Sequence, residues 1–119
     1  MEQHVRAAMA ATAIAHHTGR RVAFIVDVSK NTRHCIGAMV TGKRVNGYDF
    51  SLSCHFNGNI PHIYHFADQR YVDLEPRGDG LYDGFDHGSK MPFVIRVADC
   101  EAEVRDGSDD GLHRYILPT

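Results

Sequence analysis

The chain has 119 residues, the length of one domain that can bury a core without disulfide bonds. An apolar fraction of 43% and a charged fraction of 24% are typical of a globular protein, and no apolar run approaches the roughly 18 residues of a membrane-spanning segment. Three cysteines without CxxC spacing exclude a disulfide framework, so we expect a cytoplasmic protein. A formal net charge of −2 argues against nucleic acid as a partner.

Charge is distributed unevenly along the chain. Residues 1–60 contain seven Lys and Arg against three Asp and Glu, whereas residues 61–119 contain six against twelve. Two oppositely charged halves of one small domain are expected to pack together, and a basic surface on the first half is the alternative. That alternative favours a small anionic ligand.

Residues 1–19 are predicted to form an N-terminal helix. Alanine recurs through this segment and has the highest helix propensity, while Gly19 suits the position after the last helical turn. Val5, Met9 and Ala13 form only a narrow apolar stripe. We therefore expect the helix to cover one face of a sheet, with a second copy of the helix across a dimer axis as the alternative.

From residue 20 to residue 119 the pattern changes to short β-strands. β-branched and aromatic residues alternate with turn signals such as residues 57–61, which predicts seven or eight strands, two of them over residues 33–40 and 48–56. This pattern indicates a single domain over residues 1–119 of the α+β class, rich in β-structure. Its helix would pack on a small antiparallel barrel or a two-layer sandwich.

A short motif occurs twice in the β region. Asn46-Gly47-Tyr48-Asp49 returns 37 residues later as Asp83-Gly84-Phe85-Asp86, and the surrounding stretches 33–60 and 70–97 align without gaps. Because Asn-Gly and Asp-Gly favour tight turns, the echo predicts two similar β-hairpin units and an internal duplication.

The repeated motif supplies the candidate ligand-binding residues. If the two units are related by a pseudo-twofold axis, Asp49 and Asp86 face each other near it, where paired carboxylates can support acid–base chemistry. The alternative is that each Asp accepts hydrogen bonds from the backbone of its own turn. With the neighbouring rings included, the predicted binding surface consists of Tyr48, Asp49, His55, Phe85 and Asp86.

Histidines suggest a metal site. The chain has nine of them, and three lie within residues 55–65. His55 and His65 can converge across a hairpin, and Asp49 or Asp86 would complete a site of two histidines and one carboxylate for a divalent metal. The sequence lacks HExxH spacing, so a protein without a cofactor is the other expectation.

The sequence lacks GxSxG, a phosphate-binding loop and other catalytic signatures, which favours a protein that is not an enzyme. We predict a small binding or interaction module for a small anionic ligand or a protein partner, assembled as a homodimer. Two alternatives stay open. One is a small metal-dependent hydrolase or nuclease that uses His and Asp residues, and the other is a defence or immunity-type factor that acts by protein contact.

Overall fold

The computed structural model describes residues 1–109 and 111–118, which form one helix and eleven β-strands. The helix, α1, spans Gln3–Thr18, in agreement with the prediction. The strands are β1 (Ile25–Asp27), β2 (Thr32–His34), β3 (Ile36–Thr41), β4 (Arg44–Asp49), β5 (Cys54–Asn59), β6 (His62–His65), β7 (Arg70–Gly78), β8 (Leu81–Asp86), β9 (Met91–Ala98), β10 (Glu101–Asp106) and β11 (Leu112–Ile116). No helix in the described part of the chain is long and apolar enough to cross a membrane.

The strands form one antiparallel sheet that curves into a nearly closed barrel. Every strand from β3 to β11 pairs with its neighbour in the chain, and β11 pairs with β1, which gives the order β2-β1-β11-β10-β9-β8-β7-β6-β5-β4-β3. Val22 and Ala38 exchange two backbone hydrogen bonds of 2.8 and 2.9 Å. This bridge joins the segment before β1 to the far edge strand β3. The predicted α+β fold and barrel are thus confirmed.

More strands form than the sequence pattern predicts because two predicted strands are interrupted. The stretch 33–40 is divided at Cys35 into β2 and β3, and the stretch 48–56 contains a turn over residues 50–53. The opposite error occurs at 57–59, which continues β5 although it is rich in turn-forming residues. At 57–59 the pairing with β4 and β6 overrides the local preference.

The helix lies inside the curve of the sheet. All eleven residues from Val5 to Ala15 are buried, so no side of this helical segment faces solvent. It contacts β1, β9 and β10 on one side of the sheet order and β3 and β4 on the other. The helix therefore packs on one face of the sheet, as predicted, and this inner face curves around it. A helix whose whole circumference is alanine-rich can be enclosed because methyl groups let the wall approach its axis closely.

The echoed glycines lie within strands, where they make room for aromatic rings. A Cβ atom added at Gly47 would lie 2.0 Å from the ring of Phe56 on the paired strand, and one at Gly84 would lie 2.1 Å from Phe93. Both phenylalanines are buried. The predicted Asn-Gly and Asp-Gly turns are thus corrected to strand positions, with glycine required by a close approach.

The two ends of the barrel carry different turns. Two-residue turns at one end join β3 to β4, β5 to β6, β7 to β8, and β9 to β10. Longer turns lie at the other end, which we call the mouth, and they follow β1, β4, β6, β8 and β10. The fourth turn residue has a positive φ after β1, β4, β6 and β8, at Asn31, Ser53, Gln69 and Lys90. The geometry shared by the echoed stretches thus recurs in other hairpins, and the internal duplication stays a prediction.

Candidate metal centre at the barrel mouth

Five inward-facing polar residues surround the mouth. Each is buried and ends the strand that precedes a mouth turn; they are Asp27, Asp49, His65, Asp86 and Asp106. Inward positions of a small barrel are normally apolar, and buried charged groups need partners. The mouth is therefore the part of the barrel where polar chemistry is concentrated.

The four aspartates at the mouth are engaged by their own turns. Asp49 Oδ1 accepts backbone hydrogen bonds from Ser51 (2.9 Å) and Leu52 (3.2 Å). Asp86 Oδ1 accepts one from Gly88 at 2.9 Å. Asp27 and Asp106 accept equivalent bonds from Lys30 and Ser108. The alternative interpretation of Asp49 and Asp86, in which each holds its own turn, matches this arrangement.

His65 occupies the strand-end position at which the other four members of this set have an aspartate, but it makes no equivalent hydrogen bond. Its side chain is fully buried and stacks on Phe56, with ring centroids 6.0 Å apart. Within residues 1–109 and 111–118, neither of its ring nitrogens has a hydrogen-bond partner. Burial lowers the pKa of His65, which keeps the imidazole neutral and able to donate a lone pair to a metal.

The first turn of α1 brings a second histidine to His65. Their ring centroids are 5.3 Å apart, and His4 Nε2 lies 3.0 and 3.1 Å from the two carboxylate oxygens of Asp68, in the turn after β6. This contact holds the His4 ring and the Asp68 carboxylate side by side. The pair His4–Asp68 is about one quarter exposed, with side-chain exposures of 29% and 27%, whereas His65 lies beneath it.

The three side chains have the composition and spacing of a metal site. One ligand atom each from His4, His65 and Asp68 can be chosen so that all three lie within 4.8 Å of one another. Ligands of one zinc ion at about 2.1 Å from the metal lie at most about 4.2 Å apart. The three ligand atoms are therefore close to the separation that one ion requires. Two imidazoles and a carboxylate suit zinc, manganese, iron, cobalt or nickel.

A cavity of about 270 Å³ opens beside His4 and Asp68. Its lining includes Glu2, His4, Asp68, Arg70, Asp86 and Ser89. Two of the proposed metal ligands and an arginine therefore line the same cavity. A small molecule bound in this cavity would therefore lie next to the ligand atoms of His4 and Asp68.

The sequence-predicted site residues are divided between the two sides of the barrel wall. The rings of Tyr48 and His55 make an edge-to-face contact at a centroid distance of 4.8 Å, and the ring of Phe85 lies 5.0 Å from that of His87. Because side chains alternate along a strand, Asp49 and Asp86 point inward while the preceding Tyr48 and Phe85 point outward.

The predicted metal pair His55 and His65 does not assemble. His55 is exposed and its ring lies near Phe66, whereas His65 is enclosed on the inner side. His65 pairs in register with Phe56, the residue after His55, which places His55 on the opposite side of the sheet. Of the two predicted ligands, the structure brings only His65 into a cluster.

Sequence reasoning missed His4 and Asp68. The sequence does single out His65, because it occupies the position at which the other strands that precede mouth turns end in Asp. That comparison requires the strand boundaries to be known. His4 is 64 positions from Asp68, and no local pattern links them. The placement of the helix inside the barrel is what joins them.

Comparison with protein-family models, with curated proteins and with solved structures finds no match to this chain. Its function is therefore argued from the chemistry of the mouth.

Proposed function

We propose that this protein is a metal-binding module that holds one divalent transition-metal ion between His4, His65 and Asp68. The observation that carries this proposal is the fully buried imidazole of His65, whose nitrogens lack partners among the described residues and which faces the His4–Asp68 pair. A buried polar group without a hydrogen bond costs folding free energy, about 1–3 kcal/mol. A metal ion bound by one ring nitrogen would offset part of this cost.

The chemistry of the donors supports a transition metal over calcium or magnesium. Calcium and magnesium prefer oxygen ligands, whereas imidazole nitrogen is a preferred ligand of zinc and its neighbours. Three protein ligands beside an open cavity are also typical of metal sites that keep a position for an outside ligand. Binding of a small anionic ligand or a protein partner, the function predicted from the sequence, stays a prediction. The hydrolase or nuclease function, the homodimer and the protein-contact functions stay predictions.

Metal titration of the purified protein tests the proposal. After removal of metals with a chelator, zinc and cobalt binding would be measured by calorimetry and elemental analysis. We expect one ion per chain in the wild type. We expect at least a tenfold loss of affinity in His4→Ala and in Asp68→Asn, because changes that only disturb the support of a ligand already cost about 10–100-fold. Both residues are partly exposed, so these variants should fold.

His55→Ala is the matched control, because it removes an exposed histidine from the outer face of the same sheet. It should bind metal as the wild type does. Absence of stoichiometric metal in the wild type, or equal affinity in His4→Ala, would show that the cluster is not a metal site. Loss of metal binding in His55→Ala alone would instead place the metal site on the outer face of the sheet.

A further inference from the structure

We infer that the metal-loaded mouth binds a small anion carrying a carboxylate or phosphate group, with the metal on one side of the anion and Arg70 on the other. This inference rests on the proposed metal site. It assigns to the cavity beside that site a ligand class and to Arg70 a binding role.

Arg70 stands directly beside the metal ligands. Arg70 on β7 pairs directly with His65 on β6, so the two side chains point to the same side of the sheet. The guanidinium crosses toward the next mouth turn, where Nη1 donates to the carbonyl oxygen of Gly88 at 2.7 Å. A Cβ atom added at Gly88 would lie 3.0 Å from Arg70 Cδ, so the absence of a side chain there leaves room for this path.

The guanidinium retains unused binding capacity. Arginine has five N–H donors, and the described residues offer Arg70 one carbonyl and no carboxylate within ion-pair distance. By contrast, Arg77, on the same strand, contacts both Glu75 and Asp83. An arginine at the edge of a cavity without a carboxylate partner is suited to a planar or tetrahedral anion.

The start of α1 adds a second positive contribution. Glu2 is the N-cap residue and makes no side-chain capping bond. The first intrahelical bond runs from Arg6 N to Glu2 O, so the amides of residues 3–5 have no partner within the helix. Helix N-termini carry a partial positive charge that favours anions. Glu2 and His4 also line the cavity, which places this end of the helix beside it.

The charges of the cavity make anion binding depend on the metal. Its lining contains Glu2, Asp68 and Asp86 against Arg70 and the N-terminal ammonium of Met1, a formal charge of −1 with histidines counted as neutral. A divalent ion brings the total to +1 and supplies a site for direct coordination. The empty protein should therefore repel an anion that the metal-loaded protein binds.

The size of the cavity limits the ligand. Its volume of about 270 Å³ lies just below the range of about 300–1,000 Å³ that is typical of drug-sized ligands. A short carboxylic acid or a simple phosphate fits this space. A folded macromolecule would reach the cavity only with a protruding side chain.

The test uses the full chain loaded with cobalt, whose visible spectrum reports its ligands. Acetate and inorganic phosphate would be added in separate titrations, followed by absorption and calorimetry. We expect a saturable spectral change with at least one of them, and comparison of the two arms identifies the preferred group. Arg70→Gln should bind cobalt normally but bind the anion at least tenfold more weakly. Arg77→Gln is the control, since it removes an exposed arginine near the opposite end of β7.

The possible outcomes distinguish failure of this inference from failure of the proposed metal site. If cobalt fails to bind, the metal site itself is disproved and the inference falls with it. If cobalt binds but neither anion changes the spectrum, or if Arg70→Gln binds the anion as tightly as the wild type, the metal site stands and the inference is overturned. Equal anion affinity with and without cobalt would also overturn it, because the charge balance would not govern binding.

Discussion

At the scale of single residues, a buried ion pair holds the start of the helix to the wall. Arg6 and Asp106 are 4% and 1% exposed, and Arg6 Nη1 lies 3.2 Å from Asp106 Oδ2. Arg6 Nε also donates to the Tyr115 hydroxyl at 3.1 Å. Burial works against the charge of Asp106, but hydrogen bonds from Ser108, the N-terminal ammonium at 3.6 Å and the contact with Arg6 outweigh it and lower the pKa of this carboxyl.

Replacing Asp106 should therefore destabilise the protein strongly. Asp106→Ala leaves the Arg6 guanidinium buried without its main counter-charge, and loss of one partner of a buried pair costs about 3–5 kcal/mol. Denaturant unfolding near pH 7 measures the change in free energy. Asp83→Ala is the control, because Asp83 pairs with Arg77 at 2.7 Å in an exposed place and such pairs contribute about 1 kcal/mol or less. Similar losses in the two variants would contradict the assignment of Asp106 as a buried structural charge.

At the scale of elements, the enclosed helix depends on small side chains. Ala7, Ala8, Ala10, Ala11, Ala13 and Ala15 are all fully buried. In most amphipathic helices such residues would be divided between a buried and an exposed face. Here the wall surrounds the helix, so the alanines determine how closely the sheet can curve around it.

A larger side chain on α1 should therefore be tolerated only outside the enclosed segment. Ala11→Leu keeps a high helix propensity but adds volume to a fully buried position, which typically costs about 1–3 kcal/mol. Gln3→Leu, at an exposed position of the same helix, should change stability by about 0.5 kcal/mol or less. Thermal or denaturant unfolding compares the two. Equal small effects would mean that the helix has free space beside it.

At the scale of the whole molecule, the barrel and its helix should unfold together, because the helix cannot leave without opening the wall. Tyr82 on β8 is 2% exposed and its hydroxyl contacts the helix at the Ala13 carbonyl, 3.4 Å away, and at His16. Burial raises the pKa of Tyr82 to about 12. This side chain therefore reports on opening of the barrel around the helix.

Stability should consequently fall at alkaline pH. The unfolded chain loses the tyrosine proton near pH 10 and the folded protein near 12, so the folded state holds more protons in this interval and loses stability as the pH rises. The shift corresponds to about 2–3 kcal/mol. Denaturant unfolding at pH 9 to 11.5 would measure the decline, and Tyr82→Phe should show a shallower one. An equal decline in both would assign it to other groups.

Sequence alone was sufficient for features that depend on local pattern. The alanine-rich segment predicts α1, the β-branched and aromatic runs predict a β-rich body that is either a barrel or a two-layer sandwich, and His65 stands out as a candidate ligand. Strand boundaries were harder, because residues 57–59 extend β5 by pairing with β4 and β6 although they favour a turn, and residues 50–53 form a turn inside a predicted strand. Helix propensity and strand periodicity act over a few residues, so they indicate which types of element form but not where each strand ends.

Tertiary structure decided which side chains meet. His4 approaches His65 and Asp68 only because the helix lies inside the barrel with its first turn at the mouth, and His55 is separated from His65 by the thickness of the sheet. Neither relation has a local signature. Side-chain alternation determines which residues share a face, but closure of the sheet around the helix brings distant parts of the chain to one end, and that closure results from packing of the whole core.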